Sequence, residues 1–438
     1  MTSHLPLPRS ILDTDLYKLT MQQAVLRHFP ATKASYKFTL RDKNVVFTKQ
    51  AFKTFQKTLD RFGELALTES EHAWLKQTCP YFTDEYLSYL RDYRFKPKEQ
   101  VRVNFVPTST DGETGTLEID TYGSWAETIF WEVPLMATLS EVYFQCVVTD
   151  WNYDGQKGFA LHQHTFLLLA YDKGRALLQA DCIFSDFGTR RRRSYETQDI
   201  VVESLVRAYK DIESKGRLSG TSNVHLAHKY NLTPVGTIAH EWFMGVAALK
   251  GYEDANSVAM NLWEDVYPNA LLIALTDTFS SEAFFKSYAS DKERAMRWQG
   301  LRQDSGDPFV FGRRAKEVFD SLGIDPSKKM IIYSDALNID KALRLKEQAN
   351  DLGLNGLAFL TRLKLTSHTK PVSFGIGTFL TNDFKKTASA DVSKALNMVI
   401  KLSAVDDRPC VKLSDDLTKN TGDKDTVEMV KQIYHLGA

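Results

Sequence analysis

The segment that decides the fold reads TPVGTIAHEWF and spans residues 233–243. Its apolar first half predicts a short strand, Gly236 interrupts that strand, and the residues from His240 onward favour a helix. A histidine at the end of a strand is where an α/β barrel places reactive groups. Imidazole is also the side chain best suited to proton or phosphoryl transfer near neutral pH. Most histidines in a chain of this length are structural or exposed. A functional role for His240 is therefore favoured only if the loops after other predicted strands also carry reactive side chains.

Further short apolar runs alternate with helical stretches along the same part of the chain. They span residues 182–187, 217–222, 271–276, 298–303 and 330–334, and a last one precedes a loop at 374–378. This alternation is typical of parallel strands joined by crossover helices. The sequence therefore predicts an α/β barrel between residues 146 and 385.

The first third of the chain has a different pattern, which predicts a small α+β domain over residues 1–145. We expect a helix at 10–30 and strands at 34–40, 101–106, 116–122 and 129–133. Two more strands, near 396–402 and 409–413, fall in the C-terminal segment 386–438. We expect that segment to return to the N-terminal sheet, which makes the first domain discontinuous.

Composition excludes several classes of protein. The chain has 438 residues with 55 basic and 55 acidic side chains, so no global field favours nucleic acid or an acidic membrane surface. No apolar run approaches the roughly 18 residues of a membrane span, and residues 1–9 lack the core of a signal peptide. The four cysteines lie far apart and are typical of free thiols in a reducing compartment. We expect a cytoplasmic protein, with the nucleus as the alternative location.

Nearly every predicted barrel strand ends in polar side chains. The loops in question are residues 185–190, 220–223, 236–240, 275–278, 300–307, 333–336 and 374–378. Any one of them could serve only as a helix cap or a turn. Seven in succession favour one shared site, because the loops after barrel strands converge on one face.

The residue types in these loops suit a phosphorylated sugar. Asp277, Asp304 and Asp335 could bind sugar hydroxyls or Mg²⁺, a hard cation that prefers oxygen ligands. The loop 375–378 offers backbone N–H groups to a phosphate. The third glycine of the dinucleotide fingerprint is missing and no Walker A sequence occurs, so a Rossmann cofactor or an ordinary P-loop is disfavoured.

Two arginines are candidates for binding anionic groups of a substrate. Arg190 and Arg302 follow strands, and a guanidinium pairs bidentately with carboxylate or phosphate. Within the run 190–193 we expect Arg191 and Arg192 to lie in solvent. Phe187 and Tyr17 offer flat faces to an aromatic ring, although a lone aromatic is more often part of the core.

Together these motifs resemble the nicotinate phosphoribosyltransferase family of type II phosphoribosyltransferases. The matching segments are residues 12–18, 186–191, 220–223, 236–243, 300–308, 333–335, 374–378 and 396–402, in the family's order. The resemblance implies an irregular α/β barrel with an N-terminal sheet domain. One departure is that residues 356–370 appear as an insertion relative to the family's usual spacing.

The resemblance also implies a reaction. Nicotinate and phosphoribosyl pyrophosphate would give nicotinate mononucleotide and pyrophosphate, a glycosyltransferase step coupled, as in a ligase, to ATP hydrolysis. It belongs to the salvage of pyridine nucleotides for NAD biosynthesis, the Preiss–Handler route. ATP would be a co-substrate, Mg²⁺ the cofactor, and the enzyme a phosphoprotein and a homodimer with shared active sites.

Residue roles follow from the same resemblance. His240 matches the histidine that ATP phosphorylates, and Asp277 matches the acid that holds its imidazole. The positions matching nicotinate contacts are Tyr17, reaching in from the other subunit, with Phe187, Arg190, Ser222, Thr237 and Arg302. The positions matching the phosphoribosyl side are Asp304, Ser334, Asp335, Gly377 and Thr378, of which Asp304 and Asp335 would also bind Mg²⁺.

Ser222 bears on substrate choice. The related enzyme that uses nicotinamide carries an aspartate at this position, where a carboxylate accepts the amide N–H₂ and repels the carboxylate of nicotinate. Ser222 therefore favours nicotinate.

Three alternatives stay open. One is a nicotinamide or quinolinate phosphoribosyltransferase of the same fold. Another is a barrel that binds phosphoribosyl ligands for regulation without turnover. The third, a metal-dependent aldolase or hydrolase, predicts tightly bound metal, for which the sequence offers no ligand cluster.

Overall fold

The structure is a computed structural model that describes residues 5–151, 159–354, 372–389, 391–416 and 420–436, with the backbone alone for 159–168. The predicted insertion at 356–370 lies outside these residues. Within them, no helix is long and apolar enough to cross a membrane.

The helices are short and regular. They are α1 (Leu16–His28), α2 (Lys49–Leu59), α3 (Glu69–Thr78), α4 (Asp84–Asp92), α5 (Pro97–Gln100), α6 (Trp125–Thr128), α7 (Glu132–Cys146), α8 (Phe159–Gln179), α9 (Tyr195–Asp211), α10 (Val224–Tyr230), α11 (His240–Lys250), α12 (Ala255–Val266), α13 (Ser281–Ala289), α14 (Lys292–Arg297), α15 (Pro308–Ser321), α16 (Ile339–Asp351), α17 (Thr378–Thr381) and α18 (Lys424–Ile433). Single turns of 3₁₀-helix occur at Phe62–Glu64, Thr189–Arg191 and Pro326–Lys328.

The strands fall into two large sheets and one small hairpin. They are β1 (Lys33–Leu40), β2 (Phe47–Thr48), β3 (Val101–Pro107), β4 (Thr114–Ser124), β5 (Ile183–Asp186), β6 (Arg217–Thr221), β7 (Ile273–Leu275), β8 (Gly300–Gln303), β9 (Met330–Tyr333), β10 (Ser373–Ile376), β11 (Phe384–Lys385), β12 (Val392–Ser393), β13 (Met398–Val405) and β14 (Arg408–Pro409).

The first sheet is antiparallel and joins both ends of the chain. Its order is β14-β13-β1-β4-β2, and β3 also pairs with β4. Strand β1 lies between β4 and β13, with Leu40 opposite Met398 and Ala34 opposite Val405. The expected return of C-terminal strands to the N-terminal sheet is therefore confirmed.

Two predicted features of this region are wrong. Residues 129–133 form no strand, because Ile129 follows α6 and α7 begins at Glu132. Pro134 occupies the first turn of α7, where its missing N–H costs nothing, and the β-branched residues are buried in helical backbone. In 409–413 only Pro409 belongs to a strand; Lys412 forms an isolated bridge to Thr421.

The second sheet is parallel, with the order β6-β5-β10-β9-β8-β7. Its strands agree with the predicted apolar runs, except that residues 233–239 form no strand. Pro234 makes a single bridge to Thr221, and the N–H of Val235 donates to the Thr221 carbonyl at 3.0 Å. Pro234 has no N–H to continue a ladder. On the other side, the Thr237 hydroxyl donates to the carbonyl of Ile273 in β7 at 3.2 Å. The segment thus contacts both edge strands and closes the sheet as an irregular barrel.

The predicted helix at 10–30 begins only at Leu16. The residues before it are extended, because Asp15 forms a bridge with Asn223 and the N–H of Leu16 donates to the Ser222 carbonyl at 2.8 Å. These contacts attach the start of α1 to the loop after β6. Tertiary hydrogen bonds replace the first helical turn that the local sequence favours.

A cluster of tryptophans fixes α11 between the two sheets. The Trp242 ring lies 6.4 Å from Trp125 and 5.7 Å from Trp263, and all three side chains are buried. Gly245 allows this packing, because a β-carbon there would lie 2.3 Å from the Trp125 ring. The start of α11, where His240 stands, is held by this contact.

We expect Gly245→Ala to destabilise the protein although alanine favours helix. Overpacking against Trp125 costs about 1–3 kcal/mol and outweighs a propensity gain of roughly 1 kcal/mol. Chemical denaturation checks the sign. Gly174→Ala in α8 is the matched control, since its new methyl group would meet the flexible end of Leu205 at 2.9 Å. A Gly245→Ala protein more stable than the parent would contradict the packing argument.

Candidate active site

A cleft opens where the carboxyl ends of β7 and β8 meet β13. It encloses about 570 Å³ of non-protein space, part of it open to solvent. Its lining comes from both sheets and from α1, α7 and α11: Tyr17, Glu132, Arg190, Ala239, His240, Glu241, Met244, Leu275, Arg302, Asp304, Val399, Ile400, Lys401 and Leu402. Of the predicted site residues, Tyr17, Arg190, His240, Arg302 and Asp304 therefore share one cleft.

His240 is the first residue of α11 and is held from three directions. Its Nδ1 lies 3.0 Å from the Thr278 hydroxyl. Its Nε2 lies 2.8 Å from Nζ of Lys412 and 3.2 Å from Oδ2 of Asp304.

These contacts decide the protonation of the imidazole. An ammonium group has donors only, so Nε2 must accept from Lys412 and the proton sits on Nδ1, facing Thr278. Asp304 alone would favour an imidazolium. Burial and the Lys412 ammonium outweigh it and lower the pKa of His240 to about 4. His240 is thus neutral at pH 7, with an unprotonated Nε2.

Asp277 was expected to hold the imidazole directly, and the geometry differs. Its Oδ1 lies 3.8 Å from Nε2 of His240, within ion-pair distance but beyond a hydrogen bond. Oδ2 accepts from the Ser305 hydroxyl at 2.6 Å and lies 3.4 Å from Nζ of Lys412. Lys412 therefore fixes the tautomer, the Thr278 hydroxyl accepts from Nδ1, and Asp277 acts on the imidazole through its charge and through Lys412.

Arg302 and Asp304 form the opposite wall. Arg302 donates to the Ser334 hydroxyl at 2.8 Å and to Oδ1 of Asp304 at 3.1 Å. Its guanidinium lies 5.6 Å from the centre of the Phe187 ring. That ring packs on Gly375, where a β-carbon would come within 2.7 Å of it. The predicted residues Phe187, Arg302, Asp304 and Ser334 are thus brought together.

The expected Mg²⁺ contacts are less direct. Ser334 and Arg302 donate to Oδ1 of Asp304 at 2.8 and 3.1 Å, whereas Oδ2 faces the unprotonated Nε2 of His240 at 3.2 Å. Among the residues that the structure describes, no three His, Cys, Asp or Glu side chains are grouped to hold a metal. The present arrangement does not fit a metal coordinated mainly by protein. It fits a Mg²⁺ ion carried by the phosphates of a substrate, which is how Mg²⁺ commonly binds.

Arg190 and Tyr17 line the same cleft. Arg190 donates to Oε1 of Glu132 at 3.2 Å. Tyr17 reaches the cleft from α1 without a second subunit. Ser222 stands behind it, buried, and donates to Oδ1 of Asp15 at 2.7 Å. Burial raises the pKa of the Asp15 carboxyl.

The remaining predicted residues lie near the cleft but do not line it. Thr237 joins the 233–239 segment to β7. Asp335 follows Ser334, and its charge acts on Arg191. Gly377 and Thr378 begin α17, where a β-carbon on Gly377 would lie 3.0 Å from the Phe187 carbonyl.

Sequence reasoning missed several charged residues. Lys412 and Lys401 both come from the C-terminal segment; no motif marked Lys412, and Lys401 lay in the matching segment 396–402 without being assigned a role. Burial and the Lys412 charge lower the pKa of Lys401 to about 7. Arg192, expected in solvent, is buried and pairs with Asp13 at 2.6 and 2.8 Å. That prediction was wrong because an isolated basic run gives no sign of a buried partner 179 positions away.

Two family models match the chain. Residues 12–140 match the model of the nicotinate phosphoribosyltransferase (NAPRTase) N-terminal domain, and residues 182–438 match the model of the NAPRTase family. The nicotinate phosphoribosyltransferase of Methanosarcina acetivorans is 42% identical over 431 residues, which is 97% of this chain and 98% of the relative. That of Saccharomyces cerevisiae is 38% identical over 98% of this chain and 95% of its own length. The crystal structure of nicotinate phosphoribosyltransferase from Porphyromonas gingivalis superposes with a TM-score of 0.82 at 32% identity, covering 98% of this chain and 100% of that one.

The low pKa of His240 predicts a pH dependence of stability. Between pH 6.5 and about 4 the unfolded chain binds a proton at this residue that the folded protein does not, so stability falls as pH falls through that window. Replacing His240 with Gln should remove on the order of 2–3 kcal/mol of that fall. Urea unfolding of both proteins from pH 8 to 4 checks this. Above pH 7 the difference between them should be constant, and parallel curves down to pH 4 would contradict a depressed pKa.

Proposed function

The chain belongs to the nicotinate phosphoribosyltransferase family, and we propose that it converts nicotinate and phosphoribosyl pyrophosphate to nicotinate mononucleotide and pyrophosphate, coupled to ATP hydrolysis through a phosphohistidine at His240. In this proposal the protein serves NAD salvage by the Preiss–Handler route. A cytoplasmic location and a homodimer remain expectations. Tyr17 lines the cleft of its own chain, and its contribution to the site of a second subunit stays an expectation.

The observation that carries the phosphohistidine is the neutral His240 beside Lys412. A phosphoryl acceptor needs an unprotonated nitrogen with a cation close by to balance the incoming charge. Nε2 is unprotonated, and Nζ of Lys412 lies 2.8 Å from it. The Nε2–P bond would form as the bond from the γ-phosphorus to its bridging oxygen breaks, releasing ADP. Water would later cleave the Nε2–P bond and release phosphate.

The glycosyl transfer needs no proton donor. The lone pair of the pyridine nitrogen forms the new bond to C1 of the ribose, and the electron pair of the breaking C1–O bond leaves on pyrophosphate. Arg302 and Lys412 supply positive charge along the cleft, and Lys401, with its pKa of about 7, is only partly charged near neutral pH. Such preorganised charge stabilises a leaving group that gains negative charge.

The residues of the cleft divide into two proposed subsites, one for nicotinate and one for the phosphoribosyl group. Arg190 and Tyr17 suit the carboxylate and ring of nicotinate, with Phe187 beside Arg302 as a second aromatic face. Asp304, Ser334 and Asp335, with the 377–378 turn, are proposed for the phosphoribosyl group. Mg²⁺ would enter with the pyrophosphate and supply charge neutralisation there. A reaction step through protein-bound metal is not part of the proposal.

A nicotinate-dependent ATPase assay tests the proposal. With phosphoribosyl pyrophosphate present, the parent should release phosphate from ATP only when nicotinate is added, and should carry acid-labile phosphate. His240→Ala should lose the phosphoprotein and the ATP coupling while keeping slow, uncoupled formation of nicotinate mononucleotide. The physical reason is that the variant removes the nucleophile and leaves the glycosyl-transfer residues in place.

The matched control is His225→Ala, because that histidine contacts Glu71 at 3.1 Å outside the cleft. Parallel assays with nicotinamide and with quinolinate test whether the parent prefers another pyridine substrate to nicotinate. Coupled turnover by His240→Ala, or faster turnover of another pyridine by the parent, would contradict the proposal.

A second prediction concerns substrate choice. Ser222→Asp would place a carboxylate against Asp15, with which Ser222 now forms a 2.7 Å hydrogen bond, and close to the proposed ring subsite. Repulsion between the new carboxylate and the carboxylate of bound nicotinate costs on the order of several kcal/mol, so kcat/KM for nicotinate should fall by about 100-fold or more. Ser222→Ala, which removes the hydroxyl without adding charge, is the control. Unchanged nicotinate kinetics in Ser222→Asp would contradict the assignment.

A further inference from the structure

A buried lysine lies next to the cleft without lining it. The side chain of Lys18 is 0% exposed, and its Nζ lies 2.6 Å from Oε2 of Glu132 and 2.6 Å from Oε2 of Glu241. Burying one ammonium between two carboxylates is unfavourable unless every remaining polar atom has a partner.

All four carboxylate oxygens of the two glutamates have partners. The other oxygen of Glu241 accepts from the Tyr36 hydroxyl and, at 3.0 Å, from the Trp125 indole N–H. The other oxygen of Glu132 accepts from Arg190 at 3.2 Å. Charges therefore alternate along a line: Arg190, Glu132, Lys18, Glu241. We call these four residues the charge line.

The two ends of the charge line have different surroundings. Glu241 follows His240 and is nearly buried, whereas the Arg190 side chain is 42% exposed in the cleft. Arg190 contacts Glu132 through Nη1, and this is a single contact rather than a bidentate pair. The shorter distance from Glu132 is the one to Lys18, so the lysine takes the larger share of that carboxylate.

From this division of Glu132 we propose that Lys18 is a positioning residue that sets substrate specificity: by holding Glu132, it keeps the positive charge of Arg190 available for the carboxylate of an anionic pyridine. The inference rests on the proposed function, because it concerns the same ring subsite. Without the Lys18 charge, Glu132 closes on Arg190 as a full salt bridge. An anionic substrate then has to compete with an internal carboxylate, whereas a neutral pyridine loses nothing.

Two variants probe the charge line in opposite directions. Lys18→Met with Glu241→Gln removes a cation and an anion together, so the buried charge stays balanced. In this double variant Arg190 is the one cation of the charge line that still pairs with Glu132. Glu132→Gln instead removes the competing carboxylate and leaves Lys18 paired with Glu241. If these residues only stabilised the fold, both variants would have a lower Tm and neither would have a lower KM for nicotinate.

The matched control is Lys329→Met. Lys329 is also buried, and it donates to backbone carbonyls of Ala295 and Met296 at 2.7 and 2.8 Å. It precedes β9 at the strand end that faces away from the cleft. Its loss should lower the Tm without changing KM for nicotinate, which separates stability from specificity.

Steady-state kinetics with nicotinate and with nicotinamide, together with Tm values, test the role of Lys18 in substrate specificity. For Lys18→Met/Glu241→Gln we expect KM for nicotinate to rise about tenfold, with a much smaller change in kcat and a reduced preference for nicotinate over nicotinamide. For Glu132→Gln we expect KM for nicotinate to fall by about threefold. If the double variant fails to fold, Glu132→Gln decides alone.

Several results would overturn the inference. They are an unchanged KM in the double variant, or a KM for nicotinate that rises or stays constant in Glu132→Gln. A parent protein that does not turn over nicotinate overturns the proposed function as well. A parent that uses nicotinate while its variants shift in neither direction overturns the role of Lys18 alone.

Discussion

The pairing of β13 with β1 is the contact on which the cleft depends. It joins residues as far apart as Ser403 and Ser35, whose side-chain to backbone hydrogen bond of 3.0 Å spans 368 positions. Because β13 lines the cleft through residues 399–402, one wall of the site exists only when the two ends of the chain are assembled. The other wall comes from the parallel sheet. Substrate binding between the walls would therefore favour the assembled form over any state in which the C-terminal segment is detached.

Two buried lysines beside the cleft each lie against more than one partner. Lys412 lies between His240 and Asp277, and Lys18 lies between Glu132 and Glu241. For Lys412 the consequence is a neutral imidazole, since its ammonium opposes a second positive charge only 2.8 Å away. For Lys18 the consequence is a carboxylate divided between two cations. In the proposed mechanism, a buried lysine with two partners thus supports the nucleophilicity of His240 at one place and the anion binding of Arg190 at another.

Much of the fold could be predicted from local patterns, because parallel strands are short apolar runs that end in polar loops. Strands β5 to β10 and the loops after them were found in this way, and the loops predicted at 185–190, 236–240 and 300–307 supplied Arg190, His240, Arg302 and Asp304 of the cleft. Residues 233–239 look like a strand locally, but Pro234 lacks an N–H and the segment bridges two strand edges instead. Ile129 to Val133 look like a strand through their β-branched residues, whereas a proline in the first turn of α7 permits a helix.

The residues that sequence reasoning missed are those whose role depends on partners distant in the chain. Nothing near Lys412 marks it, since its significance arises from His240, 172 positions earlier. Arg192 is buried for the same reason, because Asp13 supplies the charge that its own neighbours lack. A resemblance between motifs assigns roles to loops that resemble known loops, but a single lysine on a short bridge forms no motif. The electrostatics of this cleft are therefore set mainly by the C-terminal segment and α1, whereas the loops of the parallel sheet supply the groups on which those charges act.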